Sequence, residues 1–280
     1  MSGQAIGIDH VGVVGPSLDE LASAFVAIGF NVTPRATHAG GRTGNHCVML
    51  EDSYLELVAT TPGGVSATLA QFLARHAGLH ILAFRTENPR AAAERLAIAG
   101  WPGLSVSTST RALNDQEGPE VGFTLVTPPD LPEGRVHLIR HRDSDMMWQP
   151  RFLSHPNRAT HLAEVIFTSD NPASSAARYS TVAGAAVRPD PLDGYALGAG
   201  GQQLRFLSRG AIHTLLPART DIPRSPCIVA VTLYTSDNNA ALRAWLARQG
   251  LVHEIRNGVV VLTCLGVVLR FVPSPVRSGD

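Results

Sequence analysis

The sequence predicts an α+β protein made of four βαβββ units paired into two domains. Three observations carry this. A block of apolar strand, helix cap, helix and closing glycine occurs four times. With His10, His80, His161 and Ala230 taken as equivalent positions, the blocks recur at steps of 70, 81 and 69 residues. A polar, proline-bearing stretch separates the second block from the third. A sustained internal period of this kind governs the whole architecture.

The first unit opens on the apolar strand Gly7–Val14. Ser17, with Glu20 three residues later, forms a capping box for a helix that closes at Gly29. Strands follow at Phe30–Thr33, Cys47–Leu50 and Tyr54–Val58. The second unit has the strand Leu79–Phe84, then Asn88-Pro89 and an alanine-rich helix to Gly100. Proline suits the first helical position, where a missing N–H costs nothing, and glycine supplies the left-handed stop. Its later strands are Leu104–Ser107, Val121–Val126 and Val136–Arg140. The third unit runs from Thr160–Phe167 through Asn171-Pro172 to Gly184, with strands at 186–188, 194–197 and 203–207. The fourth runs from Ile228–Tyr234 through Ser236-Asp237 to Gly250, with strands at 252–255, 259–262 and 267–272. The boundaries read as domains over 1–142 and 158–276, with a linker at 143–157. The tail Ser274–Asp280 is expected to fray.

Composition narrows the function. The 280 residues carry 23 basic and 23 acidic side chains, a formal net charge of +0. This argues against nucleic acid or an anionic membrane as partner. Every basic residue is arginine, which excludes a Schiff-base or P-loop lysine. No apolar run is long enough to span a bilayer, and the first residues do not read as a signal peptide. Three scattered cysteines fit a reducing compartment, so the expected location is the cytoplasm. Gly198–Gly201 is a hairpin turn rather than a dinucleotide fingerprint, since no helix follows it.

Four βαβββ units, with Asp9-His10-Val11 in the first strand and Tyr54-Leu55-Glu56-Leu57 in the last of unit one, resemble the vicinal oxygen chelate superfamily. More narrowly, Thr43-Gly44-Asn45-His46, Ile139-Arg140-His141, Trp148-Gln149-Pro150 and His155-Pro156-Asn157 resemble its glyoxalase-like proteins. The resemblance implies that paired units curl into an open barrel whose first and fourth strands present ligands inward. Carried over to this chain, it implies a metal held by His10, Glu56 and His80. Two imidazoles and a carboxylate suit one divalent ion (Fe, Mn, Ni or Zn) with open positions for a substrate. In unit two the strand Val136–Arg140 lacks a carboxylate. His137 and His141 share one face of it and Arg140 the other. If His141 faces inward it joins the donor set. If Arg140 does, it clamps a substrate carboxylate. His46 and His141 are the acid–base candidates, and Asn45 and Arg140 the substrate-binding ones. Asp9 and Glu51 read as turn or rim residues.

In the C-terminal half the same positions read His161, Arg205, Ala230 and Arg270. Two arginines exclude a cation, so that half is expected to be metal-free. The arginines either form an anion pocket or pair with acidic neighbours such as Glu164. The leading expectation is a metal-dependent enzyme of isomerase or lyase type, stabilising an enediolate of a small oxygenated molecule. The alternatives are a metal-free binding or sequestering protein and an extradiol-type ring-cleaving dioxygenase. A homodimer is the expected assembly.

Overall fold

The computed structural model describes residues 3–114, 119–217 and 220–275. The last five residues of the expected frayed tail lie outside them. Unit one comprises β1 (Gly7–Val14), α1 (Leu18–Ala27), β2 (Ala36–Thr37), β3 (Thr43–Met49) and β4 (Tyr54–Thr60). A helix α2 (Ala67–Arg75) leads into unit two, which has β5 (Gly78–Arg85), α3 (Pro89–Ile98), β6 (Val106–Ala112), β7 (Glu120–Val126) and β8 (Arg135–His141). Short helices α4 (Ser144–Met147) and α5 (Pro150–Leu153) occupy the expected linker. Unit three comprises β9 (Ala159–Thr168), α6 (Pro172–Ala183), β10 (Val187–Asp190), β11 (Gly194–Ala199) and β12 (Gln202–Leu207). After α7 (Arg209–Leu215), unit four has β13 (Cys227–Thr235), α8 (Ala240–Gln249), β14 (Glu254–Arg256), β15 (Val259–Cys264) and β16 (Val267–Pro273).

Units one and two form one eight-stranded sheet in the order β2-β3-β4-β1-β5-β8-β7-β6. Units three and four repeat it as β10-β11-β12-β9-β13-β16-β15-β14. In each sheet the two opening strands pair antiparallel, while each opening strand runs parallel to the last strand of its own unit. The outer strands β2 and β6 approach one another, so the first sheet curls toward a barrel.

Three of the four expected caps behave as their chemistry requires, while α8 starts after Asn239, which makes no side-chain cap bond, and Asp237 Oδ2 accepts from Ala241 N at 2.7 Å. Ser17 Oγ accepts from Glu20 N at 3.3 Å, and the Asn88 and Asn171 side chains accept from Ala91 N and Ser174 N at 3.1 and 3.0 Å. Gly184 and Gly250 close their helices at φ 69° and 66°. Helices α1, α3, α6 and α8 bury Phe25, Leu96, Tyr179 and Leu246 in one apolar cluster that also takes residues of both sheets. Cross-links reinforce this joint core. Glu51 N donates to Thr160 O at 2.9 Å, and Trp245 Nε1 to Ala27 O at 2.9 Å.

Two expectations change. The strand expected over Phe30–Thr33 is irregular: Thr33 N donates to Cys47 O, and the edge strand is only Ala36–Thr37. Helices α2 and α7 were not foreseen. Each opens at a serine cap, Ser66 or Ser208, whose hydroxyl accepts from the third residue on.

Candidate functional site

Strand register fixes which residues are equivalent. Gly12 lies opposite Glu56, Ala83 opposite His137, Ile166 opposite Arg205 and Thr232 opposite Arg270. Stepping back two residues on each opening strand keeps the same face. The four matched pairs are therefore His10 with Glu56, Ile81 with His137, Glu164 with Arg205 and Ala230 with Arg270.

This corrects the expected phase. The β1–β5 pairing runs Ile8–Phe84, His10–Ala83, Gly12–Ile81 and Val13–Leu79, so Asp9 and His80 are each the unpaired residue of a β-bulge. His80 matches Asp9, not His10. It is fully buried away from the cavity, stacks on Phe72 at 4.8 Å, and its Nε2 bonds to His76 O at 2.8 Å. His161 is also out of phase and faces Glu51 at 3.4 Å, while Glu164 occupies the matched position.

In the first barrel these residues line a cavity of about 390 Å3. His10 Nδ1 donates to Asp9 Oδ1 at 2.9 Å, because an ionised carboxylate only accepts. That leaves His10 Nε2 facing Glu56 Oε2 at 3.8 Å. The His10 ring stacks on Tyr54 with centroids 4.7 Å apart. Asp9 Oδ1 also accepts from His141 Nε2 at 3.0 Å, and Arg85 Nε lies 3.5 Å from its second oxygen. Glu56 Oε1 accepts from Asn45 Nδ2 at 2.5 Å and from His38 Nε2 at 3.3 Å.

These contacts set the charges. Burial by itself would raise the Asp9 carboxyl, but hydrogen bonds from His10 and His141 hold it well below the usual carboxylate range. Glu56 is likewise opposed by burial and held low by His38, His10 and Asn45. Burial, with His10 nearby, pushes His137 down to about 3, so it is neutral at pH 7. Its Nδ1 pairs with Thr127 Oγ1 at 2.8 Å.

Of the expected site residues, His10, Glu56 and His141 face the cavity, and Asn45 stands behind Glu56. His141 bonds to Asp9. His46 lies outside the cavity, with Nδ1 donating to Thr33 O at 2.8 Å. Arg140 is exposed and donates to Glu87 O at 3.1 Å. Sequence reading placed Asp9 at a turn or rim, whereas it is fully buried within β1, and it passed over His38 and Arg111, which lies on β6 and lines the cavity. Asp9 carried one signal, its place directly before His10. His38 and Arg111 carried none, because β2 and β6 meet only when the sheet curls.

The second barrel closes its matched positions internally. Arg205 forms two bonds to Asp190 at 2.7 and 2.9 Å, and Arg270 donates to Glu164 Oε2 at 2.9 Å. Helix α7 sets Ile212 against Ile166, Ala230 and Val268, filling the concave face. The first barrel keeps its space because α2 covers only the part floored by Val14, Val58 and Ile81.

The residues do not assemble an expected metal centre. Among the described residues no three His, Cys, Asp or Glu side chains meet where an ion would sit. His10 and Glu56 offer two donors, Ile81 is apolar, and His80 is sealed in its bulge. Catalytic metal sites commonly supply three protein ligands.

A sheet curled from two βαβββ units, with matched side chains converging on its interior, is the vicinal oxygen chelate architecture. The chain belongs to the glyoxalase-like domain family, whose profile matches residues 8–183. Solved structures share the fold. A hypothetical protein from Staphylococcus aureus is 14% identical, with TM-score 0.67, covering 95% of this chain and 98% of its own. A mutant of 4-hydroxymandelate synthase from Streptomyces coelicolor is 13% identical, with TM-score 0.65, covering 96% and 93%. A xylose isomerase-like TIM barrel/4-hydroxyphenylpyruvate dioxygenase fusion protein is 10% identical, with TM-score 0.59, covering 100% and 51%. No curated protein matches the chain in sequence. No helix among the described residues is long and apolar enough to cross a membrane.

Proposed function

We propose that the N-terminal barrel is a substrate site for proton-transfer chemistry on a small organic molecule, with His10 as the base. The observation that supports this reading is the Asp9–His10–Glu56 line at the cavity floor. Asp9 fixes the tautomer, so the lone pair of His10 Nε2 points at an ionised carboxylate 3.8 Å away. Two acceptors facing each other favour a proton donor between them. A substrate C–H beside a carbonyl, or an O–H, supplies it. His10 takes the proton, and the imidazolium lies between the Asp9 and Glu56 carboxylates, which stabilise it. Isomerase or lyase chemistry follows from such a proton removal. Because the donor set stops at two, no step is routed through a metal ion.

The test is solvent-deuterium incorporation into a panel of small keto and hydroxy acids, with protein treated with a chelator beforehand. We expect incorporation by the wild type and loss of it in His10→Ala. Incorporation that survives His10→Ala refutes the base assignment. Activity that disappears on chelation and returns with a divalent ion restores the metal-dependent reading. Binding without incorporation leaves a binding protein.

A further inference from the structure

Among the buried arginines of this chain, Arg111 differs in what surrounds it. The other two buried arginines among the described residues are each matched, Arg205 by Asp190 and Arg270 by Glu164. Arg135, on the same cavity wall, is held by both oxygens of Asp130. Arg111 is only 9% exposed, yet among the described residues it has no carboxylate within ion-pair distance. Its guanidinium donates to Ala112 O at 3.3 Å, and the Cys47 thiol is among its neighbours. The Cys47 thiol is pushed up to about 12 by burial, so it brings no negative charge at pH 7. The charge of nearby Glu56 favours the Arg111 cation, but both Glu56 oxygens are directed at His38, Asn45 and His10 and neither is bonded to its fork.

A guanidinium shut away from water, with no carboxylate bonded to its fork among the described residues, keeps donors that a bound anion would complete. Arg111 lines the 390 Å3 cavity and also borders a smaller one of about 120 Å3 behind β3. A ligand in the main cavity therefore meets its fork. The wall beside it is apolar, formed by Phe72, Phe123, Leu125 and Ile139. The charge count limits the ligand to one negative charge, since Arg135 is already neutralised and Glu56 repels a second.

We infer that Arg111 anchors the carboxylate of a monoanionic substrate whose apolar body lies along that wall. The inference rests on the reading of this cavity as the substrate site. It adds the substrate class and the residue that selects it. A guanidinium fork matches a carboxylate through two parallel N–H bonds, which an ammonium does not reproduce.

Calorimetric titration tests it, with phenylacetate and hexanoate as probes against phenylacetamide and hexanamide. Wild type is expected to bind each acid at least tenfold more tightly than its amide. Arg111→Gln is expected to erase that preference, and Ile81→Trp, which fills the cavity, to abolish binding of all four. Arg111→Gln without ligand is expected to melt close to the wild type, because no carboxylate among the described residues is bonded to the Arg111 fork. A structural arginine would give a lower melting temperature. Equal binding of acids and amides, blocked by Ile81→Trp, overturns the anion anchor and leaves the cavity as the site. Acid binding that survives Ile81→Trp places the ligand elsewhere and overturns both. No binding of any acid by the wild type also overturns the anchor. The acid–amide comparison needs no variant, so a poorly folding Arg111→Gln does not rescue the inference.

Discussion

Replacing Asp9 by asparagine keeps the shape of the side chain and removes its charge. Asp9 is fully buried, and its Oδ1 accepts from His10 at 2.9 Å and His141 at 3.0 Å. Hydrogen bonds to a charged group contribute about 1.5–3 kcal/mol each, neutral ones about 0.5–1.5. Two bonds reduced from the first class to the second give a loss of about 2–3 kcal/mol. The amide group that replaces Oδ2 also faces Arg85 and adds no acceptor there. For 280 residues the unfolding entropy is about 0.6 kcal/mol/K, so the melting temperature should fall by about 3–5 °C. The pH dependence has a definite sign. The folded Asp9 carboxyl lies below its ordinary value, so its contribution is present above about pH 4 and is lost as the pH falls through the folded value. Urea unfolding of both proteins at pH 7 and at steps below pH 4 is the assay. The gap between them should be widest at pH 7 and shrink in acid. A difference under about 0.5 kcal/mol at pH 7, or one that does not change with pH, would refute the network.

Three further outcomes follow from the fold. Burial lowers His80 to about 4 and His137 to about 3, so unfolding takes up protons below the ordinary histidine range near 6.5. Stability should therefore decline from pH 6.5 toward pH 4, and His80→Gln should flatten that decline in a pH series of thermal melts. Gly200 sits at φ 57°, and a Cβ there would lie 2.0 Å from Ile6 O at the junction of the two barrels. Gly200→Ala should cost about 2 kcal/mol or more in denaturant unfolding, a backbone clash being among the larger single-site effects. Arg270→Met leaves Glu164 short of a partner in the closed second barrel. Because Glu164 keeps Arg205 at 3.6 Å and the Thr232 hydroxyl, the variant should destabilise by about 1–2 kcal/mol by the same assay while leaving ligand affinity at the first barrel unchanged.

Much of this molecule was legible in the amino-acid order. The fourfold repeat, the opening strands, the serine and asparagine caps and the glycine stops are local features, fixed by side-chain chemistry within a few residues. His10 and Glu56 were legible too, because each lies in an apolar strand where a polar residue stands out. The misplacement of His80 has a physical cause. A strand's faces alternate with period two only while every residue is paired, and one bulge shifts the phase of all that follows. Whether a residue is paired depends on the neighbouring strand, 70 positions away in sequence. The same limit hid Arg111, whose neighbours across the cavity come from β3 and β4 rather than from its own hairpin. The sequence by itself determined the modules and their caps. Curling and packing of the sheets decided which side chains share an interior, because facing one another across a barrel is a property of the pairing register and not of any one segment.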